Sequence, residues 1–266
     1  MKTLPNIYPD VWKKELKIET LDYLPFRNLM HFKHFVSNIT QIEDNKCDVS
    51  YSDALSDLML GKYEKDDSRY ESVRNLVRKN LLKRGLITQE IYENFKYSTD
   101  GIVVDYDVGK YAAGEPDCVI TPSVQYVDFF HELYINISYR YDISDIDISK
   151  NINKLLATIE ELERQHIFIK ITLILACREI NNKNNFLSVI PLFSHREFKT
   201  VEIMSSVLNN RLLRKFFFAI FENKYGDELS DFYGRVLKVS DSLSLNDEFN
   251  EIEFFTEIKD TVERRL

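Results

Sequence analysis

Glycine and proline are scarce, seven and six residues of 266. So few flexible residues exclude long linkers and low-complexity segments. Cysteine is sparser still. Cys47, Cys118 and Cys177 are isolated from one another, no C-x-x-C pair occurs, and the odd count argues against a secreted disulfide framework. Long apolar runs are missing as well. "IFIKITLILAC" (167–177) is broken by Lys170 and falls short of a bilayer span. The opening "MKTLPNIYPDVWKKELKIE" holds no apolar run of signal-peptide length. A phosphate loop is absent too. Gly109-Lys110 stands without the rest of G-x-x-x-x-G-K-[ST], and Gly101, Gly109 and Gly114 do not space as G-x-G-x-x-G. These absences together lead to the expectation of a reduced, soluble, cytoplasmic protein with no membrane contact.

What is present is ordinary in bulk and uneven in detail. Apolar residues make up 44% and charged residues 29%, as in a globular domain, while aromatics reach 13% with one tryptophan, Trp12. The formal net charge is −8. That excludes coating nucleic acid with the whole surface and leaves room for a local basic patch.

The periodicities give an order of elements. Residues 1–100 read as mostly helical. "SYSDALSDLMLGK" has N-cap candidates at Ser50 and Ser52, apolar Ala54, Leu55, Leu58 and Met59, and Gly61 as a stop. "SRYESVRNLVRKNLLKRG" repeats the plan, with Ser68 as cap, a stripe of Val73, Leu76, Val77, Leu81 and Leu82, and Gly85 as the end. Residues 131–141 alternate as a half-buried strand, 150–165 form an amphipathic helix, and 167–177 and 186–193 are strands around a turn at 180–185. Residues 200–224 and the tail from about 243 read as helical. The expectation is therefore α+β: a helical part (1–100), a small β-α-β-β-α sheet layer covered by helices on one side (101–242) and a charged helical tail (243–266), forming one compact unit. The strand–helix–strand passage suits a right-handed parallel crossover.

Each chemistry leaves its own mark in a sequence. Of the five histidines only His31 and His34 lie close together, and zinc requires three or four ligands, so they read as capping or packing locally and no metal site is expected. Cys118 with His131 as its base is a nucleophile pairing in principle, but a lone Cys before an apolar pair reads as a small buried residue. A metal-dependent nuclease could use Glu115 and Asp117 with a later Glu-x-Lys. The available ones, Glu197-Phe198-Lys199 and Glu257-Ile258-Lys259, lie far from the strand such a site would use. No catalytic residue and no cofactor is assigned.

Basic residues do cluster. Arg69, Arg74, Arg78, Lys79, Lys83 and Arg84 fall on one helix and its end, with Tyr70 among them and Tyr92 beyond. Arg74 and Arg78 share one helical face, Lys79 and Lys83 the next. A second knot, Arg211, Arg214 and Lys215, precedes Phe216, Phe217 and Phe218. Cations interleaved with rings are what single-stranded nucleic acid requires, since phosphates pair with charge and bases stack on aromatics. The alternative is that every helix has a solvated charged face and that three phenylalanines in a row are core.

"VVDYDVGKYAAGEPDC" (103–118) is the one segment that reads as neither helix nor strand. Its glycines supply the positive φ of a tight corner and Pro116 fixes the exit. The bared backbone N–H groups of such a corner suit a phosphate.

Two segments carry a resemblance. Ser50-Tyr51-Ser52-Asp53-Ala54-Leu55 with Gly61, and Val104-Asp105-Tyr106-Asp107-Val108-Gly109, Tyr111, then Gly114-Glu115-Pro116-Asp117-Cys118, resemble a bacteriophage protein family. Its pattern is a Ser-aromatic-x-acid-Ala-Leu helix ending in Gly-Trp, followed by valine-acid-valine-glycine, an aromatic, and Gly-x-Pro-acid-Cys. Lys62 stands where the tryptophan would be, and Lys150-Asn151 where an Arg-Gly pair would precede the next helix. The resemblance spans about residues 50–195. It implies a phage gene, an α+β layout and a host-cytoplasmic setting, with Asp107, Gly109, Gly114, Glu115, Pro116 and Asp117 as the motif loop. More loosely, the chain is similar to the single-stranded-DNA-binding cofactors that some phages supply to their own RNA polymerase. The functional expectation is a phage single-stranded-DNA-binding protein, a transcription or replication cofactor, using Arg69, Tyr70, Arg74, Arg78, Lys79, Lys83 and Arg84. The alternative is a phage accessory protein, a host-takeover inhibitor or a structural protein, whose acidic surface, including "SDIDIS", binds a host or virion partner; a phage RNA polymerase or another protein is the partner expected besides single-stranded DNA.

Overall fold

A computed structural model of the chain describes residues 22–39, 51–60, 67–87, 95–98, 105–106, 110, 112–113, 119–122, 128–138, 143–178, 185–197, 199, 201–208, 216–217, 219–220, 235–236, 242–245 and 247–264. The described strands are β1 (Asp22–Pro25), β2 (Phe95–Ser98), β3 (Asp105–Tyr106), β4 (Val119–Pro122), β5 (Phe129–Asn136), β6 (Ile167–Arg178), β7 (Asn185–Phe193), β8 (Arg235–Val236) and β9 (Leu243–Ser244). The helices are α1 (Leu29–Ser37), α2 (Tyr51–Leu60), α3 (Asp67–Lys83), α4 (Asp145–Glu163), α5 (Val201–Val207) and α6 (Glu251–Glu263). This is the expected α+β class. Among the described residues no helix is long and apolar enough to cross a membrane.

The β5–α4–β6–β7–α5 passage follows the expected order. β5 and β6 run parallel, Phe129 opposite Ile167 through Asn136 opposite Ile174, with α4 as the crossover. β7 returns antiparallel to β6. The sheet then extends further than periodicity suggests. Its order is β1-β7-β6-β5-β9, and β8 pairs with β6 beyond the end of β5, at Cys177 and Arg178. A second, antiparallel sheet has the order β2-β4-β3. The expectation of helix across residues 1–100 therefore misses two strands, β1 and β2. β1 pairs parallel with β7, which ties the start of the described chain to the central sheet.

Side chains alternate across a strand, so the sheet has two distinct faces. On one, Leu133, Ile135, Ile167, Ile169, Ile171, Leu173 and Leu175 join the core with Ile148, Ile152, Leu155, Leu156, Ile159 and Leu162 of α4. Each such side chain fully buried stabilises the fold by roughly 1.5–3 kcal/mol before entropy is counted. On the other face the ends differ. Phe130, Glu132, Phe168 and Lys170 reach solvent, whereas Tyr134, Asn136, Thr172, Ile174 and Ala176 are buried. β5 is thus half-buried only at its start. Past Leu133 it is an interior strand between β6 and β9, buried on both faces.

The helix ends follow local chemistry. Asn28 caps α1, accepting from the His31 N–H at 2.9 Å. Ser144 caps α4, accepting from the Asp147 N–H and donating to its carboxylate. The helix therefore begins at Asp145, ahead of the expected start at 150, and runs through acids that suit a helix N-terminus. Gly85, at φ +67°, ends α3 as expected. Leu86 N–H donates to the Leu81 carbonyl and Gly85 N–H to the Leu82 carbonyl, which is the Schellman pattern. Asn151, standing where the resemblance would place an Arg-Gly pair, is buried and clamps the segment before α6. Its Nδ2 donates to the Leu245 and Asp247 carbonyls, and its Oδ1 accepts from the Phe249 N–H. The tail is helical only from Glu251, with the short strand β9 ahead of it.

Candidate functional site

The basic cluster sits on α3, and α3 lies across α4. Helical spacing divides its cations into two sets, and the fold gives the sets different neighbours. Arg74 turns inward, pairing with Glu160 of α4 at 2.7 Å and with Glu71 at 3.2 Å. Those carboxylates outweigh burial and hold the Arg74 guanidinium above its already high range. Tyr70 is half-buried beside it and its hydroxyl donates to Glu160 at 3.3 Å. Burial, reinforced by Glu160, pushes that phenol up. Tyr70 is therefore occupied by α4 rather than offered to a base. Next to Glu160, Glu161 is 1% exposed and pairs with Arg164 at 2.9 Å. Burial raises its carboxyl above the ordinary range, against the pull of Arg164, Arg78 and Arg74. The charge of Arg74 thus goes largely to fastening α3 onto α4, while Arg78, half-buried on the same face, acts on Glu161 through its charge alone.

The second set faces solvent. Arg69, Lys79 and Lys83 share the outer face of α3, with Arg84 just past its end, and all four are exposed. Leu76, 52% exposed, lies among them. Among the described residues Lys79, Lys83 and Arg84 form no ion pair. Gly85 stops the helix immediately after them, which fixes where the backbone turns away.

The other expected residues fall differently. Asp107, Gly109, Gly114, Glu115, Pro116 and Asp117, the motif loop, lie outside the described residues, as do Cys118, Tyr92, Arg211, Arg214 and Lys215. His131 is buried, on the sheet face under α4. Lys199 is tied to Glu163 at 2.5 Å, and Lys259 donates to the Leu86 carbonyl at 3.4 Å. His31 accepts from the Arg27 N–H at 3.3 Å, the local role expected of it. Among the described residues no group of three metal-ligating side chains converges.

A further surface is absent from the sequence expectations. At the open end of the sheet Phe130 and Phe168 are register partners on β5 and β6, stacked with centroids 6.0 Å apart. The Arg196 guanidinium lies 5.6 Å from each ring centroid, and His195 meets Phe130 edge-on at 5.1 Å. Asp128 holds Arg196 with one oxygen at 2.5 Å and His166 with the other at 3.1 Å. One step along the strands, Glu132 pairs with Lys170 at 2.8 Å and accepts from the Tyr134 hydroxyl at 2.9 Å. Burial would raise the Glu132 carboxyl, but those two bonds bring it below its usual range. Burial also lowers the His195 imidazole, against the pull of Glu132. A trace of this surface exists in the sequence. Phe130-x-Glu132 and Phe168-x-Lys170 are matching outward positions, aromatic opposite aromatic and acid opposite base.

Over residues 16–262 the sequence matches the family described as Domain of unknown function (DUF7192), and the chain belongs to that family. No curated protein and no solved structure matches it.

Proposed function

We propose that this member of the DUF7192 family binds single-stranded DNA, serving as a transcription or replication cofactor of the kind its phage resemblance implies. The strand's phosphates meet the outer face of α3. The observation that supports this reading most is the sorting of cations on that helix. Arg74 pairs with α4 and Arg78 is half-buried beside it, while Lys79, Lys83 and Arg84 stay outward on α3 and its end, without carboxylate partners among the described residues. With a net charge of −8 the surface as a whole does not favour nucleic acid, so binding depends on a local basic patch such as this one. Leu76 adds apolar surface between the cations for an unstacked base. A duplex hides its base faces and profits less from such a patch.

The test is fluorescence anisotropy with labelled single-stranded and double-stranded oligonucleotides across a salt series. The reading expects tighter single-strand binding that weakens steeply with salt. Equal binding of both forms, or none at low salt, refutes it. A protein partner is the second reading, favoured by Ile146. That side chain is 65% exposed within the acidic "SDIDIS" segment. In that case a purified phage polymerase, not DNA, would bind stoichiometrically and an Ile146→Asp variant would lose it.

A further inference from the structure

The sheet face that α4 leaves uncovered ends in a layer of planar groups. Phe130 and Phe168 lie side by side on neighbouring strands, their planes 29° apart. Phe130 is 44% exposed, at a position where a solvated sheet surface ordinarily carries a polar residue. Arg196 extends the layer over both rings, and its side chain is 66% exposed. Asp128 presets the guanidinium's position, so little side-chain freedom remains to be lost when a ligand arrives.

The backbone beside the layer is strained. His166 has φ +61° at the end of α4, the conformation that glycine supplies at the end of α3. A residue with a Cβ costs about 1 kcal/mol or more there. The position keeps an imidazole that bonds Asp128 and lies edge-on to Phe168, with centroids 6.4 Å apart. That strain is retained directly beside the exposed aromatic pair.

We propose that this layer is a stacking site for one base of a single-stranded nucleic acid. Every base has a π face, and rings with a guanidinium hold it by stacking and cation–π attraction without reading its hydrogen-bonding edge. The local charges cancel, Asp128 and Glu132 against Lys170 and Arg196. Phosphate attraction therefore adds little here, and stacking is what the site offers. The layer borders the same turn as the basic helix. Gln165 donates to the Leu86 carbonyl at the end of α3, and the next residue, His166, turns to Asp128. The turn that carries His166 therefore lies beside the end of the basic helix, while the rings themselves are on the opposite sheet face. The inference rests on the single-strand reading above and adds a base-stacking contact on a surface separate from the phosphate contact.

The experiment compares labelled oligo(dT) with an abasic strand of equal length, using the full chain and its F130A, F130W and K79Q/K83Q/R84Q variants. F130A is expected to weaken oligo(dT) binding roughly 5- to 100-fold with an unchanged salt slope, and to leave abasic-strand binding as it was. F130W should restore affinity, and its indole fluorescence, read above the wild-type background, should be quenched by oligo(dT). The site is overturned if folded F130A binds oligo(dT) as the wild type does, or if it loses both strands equally. It is overturned as well if F130W is not quenched by a bound strand. If the wild type binds no strand, the single-strand reading falls and the site with it. If the wild type binds and F130A changes nothing, the stacking site alone falls.

Discussion

Neutralising the outer cations of α3 should change the salt dependence of DNA binding more than it changes anything else. The perturbation is K79Q/K83Q/R84Q. All three side chains are exposed, and none forms an ion pair among the described residues, so the fold should hardly notice. Each phosphate contact on a single strand contributes about −0.7 to the slope of log K against log salt. Three contacts give a slope of about −2, which is a fall of about 20-fold in affinity between about 50 and 200 mM salt. The triple variant should lose most of that slope and bind nearly as weakly at low salt as at high. The assay is anisotropy with a labelled oligonucleotide, with a thermal melt to confirm folding. Arg74→Gln serves as the control. Arg74 is committed to Glu160 and Glu71, so its loss should leave the slope intact. The cost in stability should stay under about 1 kcal/mol, because that pair is partly exposed. The reasoning is refuted if the triple variant keeps the wild-type slope, or if Arg74→Gln loses as much of it.

Two further outcomes test the scaffold beneath that surface. Leu81 of α3 is 0% exposed, so Leu81→Ala should cost about 2–5 kcal/mol in denaturant unfolding, and a loss below about 1 kcal/mol would mean that α3 is not packed as described. Glu161 is buried with its carboxyl pKa raised in the fold, so its contribution is full below the unfolded value, about 4.3, and is lost as pH rises through the folded value. Glu161→Gln should therefore melt higher than the wild type at neutral pH, with the advantage shrinking as pH falls toward the unfolded value. Equal or lower melting at neutral pH would show that the Arg164 pair outweighs burial.

The central sheet was legible because its signals are local. β6 and β7 are runs too apolar to be anything but interior, and the α4 stripe between β5 and β6 implies a crossover. β1 was not legible. It has four residues ending in a proline, too few for alternation to register, and β7 recruits it from far along the chain. β8 and β9, two residues each, exist only because longer strands offer them an edge. On α3 the periodicity separated Arg74 and Arg78 from Lys79 and Lys83. It could not say that Arg74 would be consumed, because that depends on Glu160 of a helix far along the chain. The aromatic layer was hidden for a similar reason. Phe130 and Phe168 become neighbours only through a parallel register across an intervening helix. Arg196 reaches them from beyond the end of β7.

The most direct measurement of the central claim is lysine footprinting with a small acylating reagent, with and without oligo(dT) at low salt. Single-strand binding along the outer face of α3 predicts that Lys79 and Lys83 are protected, while Lys150, exposed on α4, is labelled at the same rate in both samples. Lys79 and Lys83 labelled equally fast with the strand bound as without it would contradict the claim.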